Sequence, residues 1–179
     1  MQAQDILHFW FKELNDKQRF IKDAELDTAM AERFGATLQA ATRGELFTWR
    51  TTPIGRLAEI IVLDQFSRNI HRDTPAAFAQ DAQALALAQE LVARGQDEWL
   101  EAPMRAFVYM PYMHSESLVI HEQAVRHFAQ KGLENSLAFE HRHKAIIERF
   151  GRYPHRNAIL GRASTAPEIE FLKQPGTSF

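Results

Sequence analysis

Apolar residues recur at every third or fourth position along most of this chain, and no stretch alternates apolar and polar residues as a half-buried β-strand does. Composition agrees, because 25 alanines and 16 leucines stand against 5 valines, and alanine and leucine favour helices whereas β-branched residues favour strands. These patterns predict an all-α fold of about seven to eight helices. The short connections favour antiparallel helical hairpins. Since one domain usually takes roughly 100–200 residues, we expect a single helical domain over residues 1–179.

Capping signals predict where the helices begin and end. Side chains that can accept a hydrogen bond from the free N–H groups of a first helical turn stand at Asp5, Asp23, Thr52, Asp81, Ser115, Asn135 and Thr165. The helix after Thr52 starts with a proline, which suits the first helical position, and is predicted to run to about Ile70. Pro111 is expected to break a later helix, because proline cannot donate the helical hydrogen bond.

Several classes of protein are excluded by composition. The chain has no cysteine, which excludes disulfides, thiolate metal sites and cysteine nucleophiles. No run approaches the roughly 18 apolar residues of a membrane span, and the first residues lack the basic start of a signal peptide. We therefore expect a cytoplasmic protein with no membrane partner. The net charge of −2 provides no general attraction to nucleic acid, which is the least favoured partner.

The first notable polar group lies on a helix that is apolar on nearly every side. Asp64 and Arg68 are four residues apart there, so they can pair, and their neighbours predict that both lie in or beside the core. One interpretation is a buried ion pair that fixes how the helix packs, since such pairs add little net stability. The other is that Arg68, Asn69 and Arg72 line a ligand pocket.

Two further polar groups follow along the chain. His114 and Glu116 stand at a predicted helix start, which favours anions and can lower the pKa of a histidine. Residues 141–162 carry six arginines or lysines against one glutamate, interleaved with glycine, proline and aromatic residues. Arginines near a short helix that begins at Pro154 would suit a phosphate or a carboxylate. The alternative is a salt-bridge network that joins the last helices to Asp64 and Glu116.

No motif predicts a metal or a cofactor. His141 and His143 are only two residues apart, so they do not share one helix face as the ligands of a zinc protease do. The chain also lacks a glycine-rich phosphate loop, a dinucleotide-binding fingerprint and a G-x-S-x-G elbow. We expect no metal site and no cofactor.

Six short strings follow one another along the whole chain: FWF at 9–11, LDQFSRNI at 63–70, HSE at 114–116, FGRYPHRN at 150–157, LGRAST at 160–165 and PGTSF at 175–179. In this order they resemble a bacterial family known as domain of unknown function 924. Ser67 and Tyr153 depart from it, since the family commonly has proline and phenylalanine there. The resemblance implies a tetratricopeptide-like α-α superhelix, and it implies no activity, substrate or catalytic residue.

These observations support two leading hypotheses of function. The first is a binding module for an anionic small molecule or an acidic peptide, with the ligand-binding candidates Arg68, Asn69, Arg72, Arg152, Arg156, Asn157 and Arg162. The second is a metal-independent hydrolase or transferase acting on a phosphorylated or carboxylated metabolite, with the acid/base candidates His114, His143, His155, Asp64 and Glu116. A histidine bonded to a carboxylate and facing a pocket would favour the enzyme. Separately, aromatic residues could form a homodimer interface or join the core: Phe20, Phe47, Trp49 and Trp99.

Overall fold

A computed structural model describes residues 1–177 of the chain, so the last two residues of the PGTSF string, Ser178 and Phe179, lie outside the described residues. Helix α1 spans residues 3–13, with Ala3–His8 α-helical and Phe9–Glu13 π-helical. Helix α4 spans residues 53–70, with a π-helical turn at Val62–Phe66. The other helices are α2 (Asp16–Phe20), α3 (Ala24–Thr42), α5 (Asp81–Ala93), α6 (Ala102–Met113), α7 (Leu118–Phe128), α8 (Glu134–Phe150) and α9 (Ala166–Leu172).

The all-α prediction is confirmed, since residues 1–177 contain nine helices and no β-strand. The additional helix is α2, which is only five residues long and forms because Asn15 and Gln18 cap each other's backbone N–H groups. From α5 to α8, each helix packs against the next one along the chain. The tetratricopeptide-like superhelix remains a prediction.

Two predicted helix starts are confirmed by their hydrogen bonds. The Asp23 carboxylate accepts the backbone N–H groups of Glu25 at 3.0 Å and Leu26 at 3.1 Å, which begins α3. The Thr52 hydroxyl accepts the N–H of Gly55 at 3.1 Å, which begins α4. These side chains satisfy donors that a helix cannot satisfy within itself.

Two other predicted caps are wrong because the helix begins after a different residue nearby. Helix α1 begins two residues before Asp5, after Gln2, and the Asp5 carboxylate accepts the N–H of Gln2 at 2.7 Å. Helix α7 begins after Ser117 rather than after Ser115. The Ser115 hydroxyl accepts the N–H of Ser117 at 3.2 Å and so shapes the turn before the helix.

Asp81 and Asn135 are also not caps, because both lie inside the first turn of their helices, α5 and α8. The Asp81 carboxylate instead contacts two arginines, as described below. Pro111 does not break α6, which continues to Met113. Pro111 lies in the last turn, so only two residues follow it in the helix, and its missing N–H removes one helical hydrogen bond.

Helix α4 is the centre of the core. Residues 55–67 are all buried, which confirms the predicted apolar surroundings of Asp64. The Phe66 ring contacts the rings of Phe9, Trp10 and Phe34, with centroids 5.9, 5.7 and 5.0 Å away. Helices α1, α3, α5 and α6 surround α4, so the polar residues at its C-terminal end are presented between several other elements.

A smaller buried cluster fixes the loop after α8. Gly151 ends that helix in the left-handed conformation, with φ of 69°, and Tyr153 packs with Ile146 and Ile147. The Tyr153 hydroxyl donates to the backbone carbonyl of Met113 at 2.5 Å. The loop is therefore held against the end of α6.

The sequence places four aromatic residues either in a homodimer interface or in the core. Trp49 packs against the core, whereas Phe20, Phe47 and Trp99 are exposed. A homodimer through these residues stays a prediction. In the part of the chain that the structure describes, no helix is both long and apolar enough to cross a bilayer.

Candidate functional site

A cavity of about 850 Å³ lies where α2, α4, α6 and α8 meet the loop after α8. Its charged lining consists of four arginines and one aspartate: Arg19, Arg68, Arg72, Arg156 and Asp73. Three histidines also line it: His114, His143 and His155. The cavity therefore brings together residues from all three polar segments that stand out in the sequence.

Two of the arginines share one carboxylate. Both terminal nitrogens of Arg68 contact Asp81, at 3.0 and 3.1 Å, and Arg156 Nη1 donates to the same carboxylate at 3.0 Å. Burial, and then the charge of Arg68, lower the pKa of Arg156. Asp81 thus holds together two cations that would otherwise repel each other in a poorly solvated place.

Asp64 and His114 form a hydrogen-bonded pair behind these arginines. Asp64 Oδ1 lies 2.7 Å from His114 Nδ1 and 3.0 Å from Arg68 Nη1, which confirms the predicted pairing of Asp64 with Arg68. Burial alone would raise the pKa of Asp64, but the neighbouring Arg68 and His114 lower it below its usual range. Burial and the charge of Arg68 lower the pKa of His114.

The pKa directions fix the proton positions in this pair at neutral pH. An ionised carboxylate can only accept, so His114 Nδ1 must carry the hydrogen, and Nε2 of the neutral ring then holds a lone pair. His114 lines the cavity with 16% of its side chain exposed. The arrangement is that of an oriented base facing a pocket.

A third carboxylate orients another arginine of the cavity. Asp27 on α3 accepts from Arg72 Nε at 2.5 Å, from Arg72 Nη2 at 2.8 Å and from the Asn69 amide at 2.8 Å. This bidentate contact fixes the plane of the guanidinium. It also leaves Arg72 Nη1 for another acceptor.

Arg156 is enclosed by aromatic rings. Its guanidinium carbon lies 4.5 Å from the centre of the Phe78 ring and 4.8 Å from that of Tyr153, and Nη2 donates to the carbonyl of His114 at 3.0 Å. Among residues 1–177 its Nε is buried and bonds to nothing. A buried cation held this way is rigid, because rings, carboxylate and carbonyl all restrict it.

The remaining two histidines of the cavity are uncharged at neutral pH. Burial lowers the pKa of His143 to about 3 and that of His155 to about 4. The Nδ1 of His143 lies 2.8 Å from the carbonyl of Phe139. A carbonyl can only accept, so this nitrogen carries the hydrogen.

Five of the sequence-derived candidates do not line the cavity: Asp64, Glu116, Arg152, Asn157 and Arg162. Arg162 contacts both oxygens of Glu116, at 2.6 and 2.9 Å, and its Nε donates to Asn157 at 3.0 Å. Glu116 also accepts the N–H of Tyr153 at 2.7 Å. These contacts tie the loop after α8 to the turn before α7, which is the salt-bridge network considered as the alternative.

Arg152 belongs to the same supporting structure. It donates to both oxygens of Glu168, at 2.7 and 2.9 Å, and Glu168 accepts the N–H of Thr165 at 2.7 Å. The predicted capping box that begins α9 is therefore present, and it is joined to the loop by Arg152. Some polar residues of the C-terminal strings thus line the cavity, and others hold the loop after α8 in place.

Sequence reasoning missed the carboxylates that organise the cavity, Asp27 and Asp81, and the Phe78 ring. Asp27 is 45 residues from Arg72, and Asp81 is 75 residues from Arg156. The sequence predicts Asp81 to be a helix cap. Local spacing gives no sign of contacts between residues this far apart in the chain. Asp27 and Asp81 both lie in the first turn of a helix, but that position does not indicate which arginine each one contacts.

No metal centre is assembled from the side chains of residues 1–177, where no three His, Cys, Asp or Glu lie close enough to hold an ion.

Comparisons with known proteins place the chain in a family. No curated protein matches it. A solved structure titled as a protein of unknown function from Agrobacterium tumefaciens is 36% identical and superposes with a TM-score of 0.87, covering 96% of each chain. A family model described as bacterial protein of unknown function (DUF924) matches residues 6–176. Because that match spans nearly the whole sequence, the chain belongs to the DUF924 family of bacterial proteins of unknown function.

Proposed function

We propose that this protein binds a small organic anion in the cavity between α2, α4, α6 and α8. The observation that carries the proposal is the charged lining, in which four arginines face one aspartate. The carboxylates of Asp27, Asp64 and Asp81 orient three of these guanidinium groups, and oriented arginines bind carboxylates and phosphates well. A volume of about 850 Å³ is typical of small-molecule sites and favours a small molecule over an acidic peptide.

Thermal denaturation with hexanoate, benzoate and inorganic phosphate at constant ionic strength tests this proposal. A ligand at 100 times its Kd adds roughly 2.7 kcal/mol to the free energy of unfolding, which raises the Tm of a chain of this size by about 5–10 °C. We expect at least one of these anions to raise the Tm of the wild type.

The Arg72→Gln variant should lose this shift, because Arg72 lines the cavity and keeps one nitrogen for an added acceptor. Arg43→Gln is the matched control, since Arg43 binds Glu45 through the same two nitrogens but on the surface. Equal shifts in both variants, or none in the wild type, would contradict the proposal.

A second candidate function is metal-independent acid/base catalysis on the same anion. The specific observation in its favour is the 2.7 Å contact of Asp64 with His114, whose ring faces the cavity. A neutral imidazole held by a carboxylate can take a proton from water or from a bound hydroxyl, and Arg68 and Arg156 would stabilise the negative charge that develops. The reaction class is hydrolysis or group transfer on a phosphorylated or carboxylated compound.

Release of p-nitrophenol from its phosphate and hexanoate esters tests this second candidate. We expect turnover that rises with pH through the lowered pKa of His114 and is lost in His114→Gln. His141→Gln is the control, since His141 is exposed on α8. Turnover that survives in His114→Gln would exclude this residue as the base.

A further inference from the structure

The cavity has a charged interior and an apolar rim. Arg156 and Arg68 have only 7% and 18% of their side chains exposed. Phe20 and Phe139, which line the same cavity, are 63% and 49% exposed, and Ile21 beside Phe20 is 38% exposed. The polar groups are therefore deep, and the large apolar side chains lie nearer to solvent.

The helices that carry these rim residues leave their apolar side chains largely exposed to solvent. Helix α2, which carries Phe20, buries none of its residues, and one face of the Phe20 ring stacks on Phe107 with centroids 6.3 Å apart. Phe139 lies on α8, where the guanidinium carbon of Arg142 is 5.4 Å from the centre of its ring. Single exposed apolar residues are ordinary, but several lining one cavity indicate a binding surface.

We propose that the ligand of this cavity is an amphipathic anion, in which a carboxylate or phosphate group is joined to a hydrocarbon or aryl group. This inference rests on the proposed anion-binding function. The charged end would meet the free nitrogen of Arg72, in the cavity that Arg68 and Arg156 also line, and the apolar end would lie between Phe20 and Phe139. A bare phosphate would fill little of a cavity of about 850 Å³, whereas an acid with a chain of several carbons would occupy both regions.

Calorimetric titration of the full chain with acetate, butyrate, hexanoate and hexanamide tests the inference. Burial of each methylene is expected to strengthen binding about fourfold, so hexanoate should bind roughly 200-fold more tightly than acetate. Hexanamide has the same chain without the charge and should bind at least about tenfold more weakly than hexanoate.

Phe139→Gln separates the apolar end from the charged end. This variant should weaken hexanoate binding about five- to tenfold and leave acetate binding unchanged. Phe47→Gln is the matched control, because Phe47 is 64% exposed and does not line the cavity. Both side chains are largely exposed, so neither substitution should unfold the chain.

The outcomes distinguish the inference from the proposed function. Binding that requires Arg72 but does not depend on chain length would overturn the inference and leave the proposed function standing. No binding of any acid, or equal binding of hexanamide and hexanoate, would overturn both. Vesicles of phosphatidylglycerol form a further arm, and binding to vesicles without binding to soluble hexanoate would overturn the inference in favour of a membrane lipid.

Discussion

Replacing Asp81 by alanine should lower the stability of the folded chain, because its carboxylate compensates the charges of two cavity arginines. Its carboxylate is shared by Arg68 and Arg156, so Asp81→Ala leaves two poorly solvated cations facing each other. Removing one partner of a buried ion pair costs about 3–5 kcal/mol. The lower value applies here, because 19% of the Asp81 side chain is exposed.

A loss of about 3 kcal/mol lowers the Tm by about 6–12 °C for a chain of this length, which circular dichroism at 222 nm can follow. The matched control is Glu45→Ala, which breaks the exposed pair with Arg43 and should lower the Tm much less, because water screens an exposed ion pair. Formate or acetate should restore part of the lost Tm in Asp81→Ala and change the wild type less. A Tm for Asp81→Ala equal to that of the control would refute the reasoning.

Three further predictions concern the folded chain as a whole. Gly55→Ala should destabilise the folded chain strongly, since a Cβ there would lie 2.1 Å from the carbonyl oxygen of Trp49. Gly35→Ala inside α3 should stabilise it by about 1 kcal/mol, because a Cβ there meets nothing within 4 Å. Urea denaturation of both variants checks that the free energy of unfolding changes in opposite directions. His143 and His155 have lowered pKa values of about 3 and about 4, so only the unfolded chain takes up their protons just below pH 6.5. Stability should therefore fall from pH 6.5 towards pH 4 by roughly 1.4 kcal/mol per pH unit for each histidine, and His155→Gln should flatten the profile measured in urea. Heat should unfold the chain in one transition with equal calorimetric and van't Hoff enthalpies if residues 1–179 are a single domain, and two separated transitions would contradict this.

The helical class and several boundaries follow from sequence because they depend on local chemistry. Asp23 and Thr52 cap helices through donors two or three residues away, and such contacts are visible in the order of residues. Asp81 and Ser115 have the same chemistry, but the structure uses their oxygens for an arginine pair and a turn. A capping signal fails where another donor, either a distant arginine or a nearby backbone N–H, takes the same oxygen.

The candidate site could be predicted in part for the same reason. Arg68 and Asp64 are four residues apart on one helix, so their pairing was predictable. Arg156 joins the same cluster, whereas Arg162 contacts Glu116. This difference depends on the path of the loop after α8. No spacing rule could separate these two arginines, because both stand in similar strings of basic and small residues.

A crystal structure of the complex with hexanoate tests the central claim most directly. The account predicts the carboxylate within about 3 Å of Arg72 or Arg156 nitrogens, a normal hydrogen-bond distance, and the hydrocarbon chain against Phe20 and Phe139. Hexanoate bound elsewhere, or bound with its carboxylate towards solvent and its chain among the arginines, would contradict it.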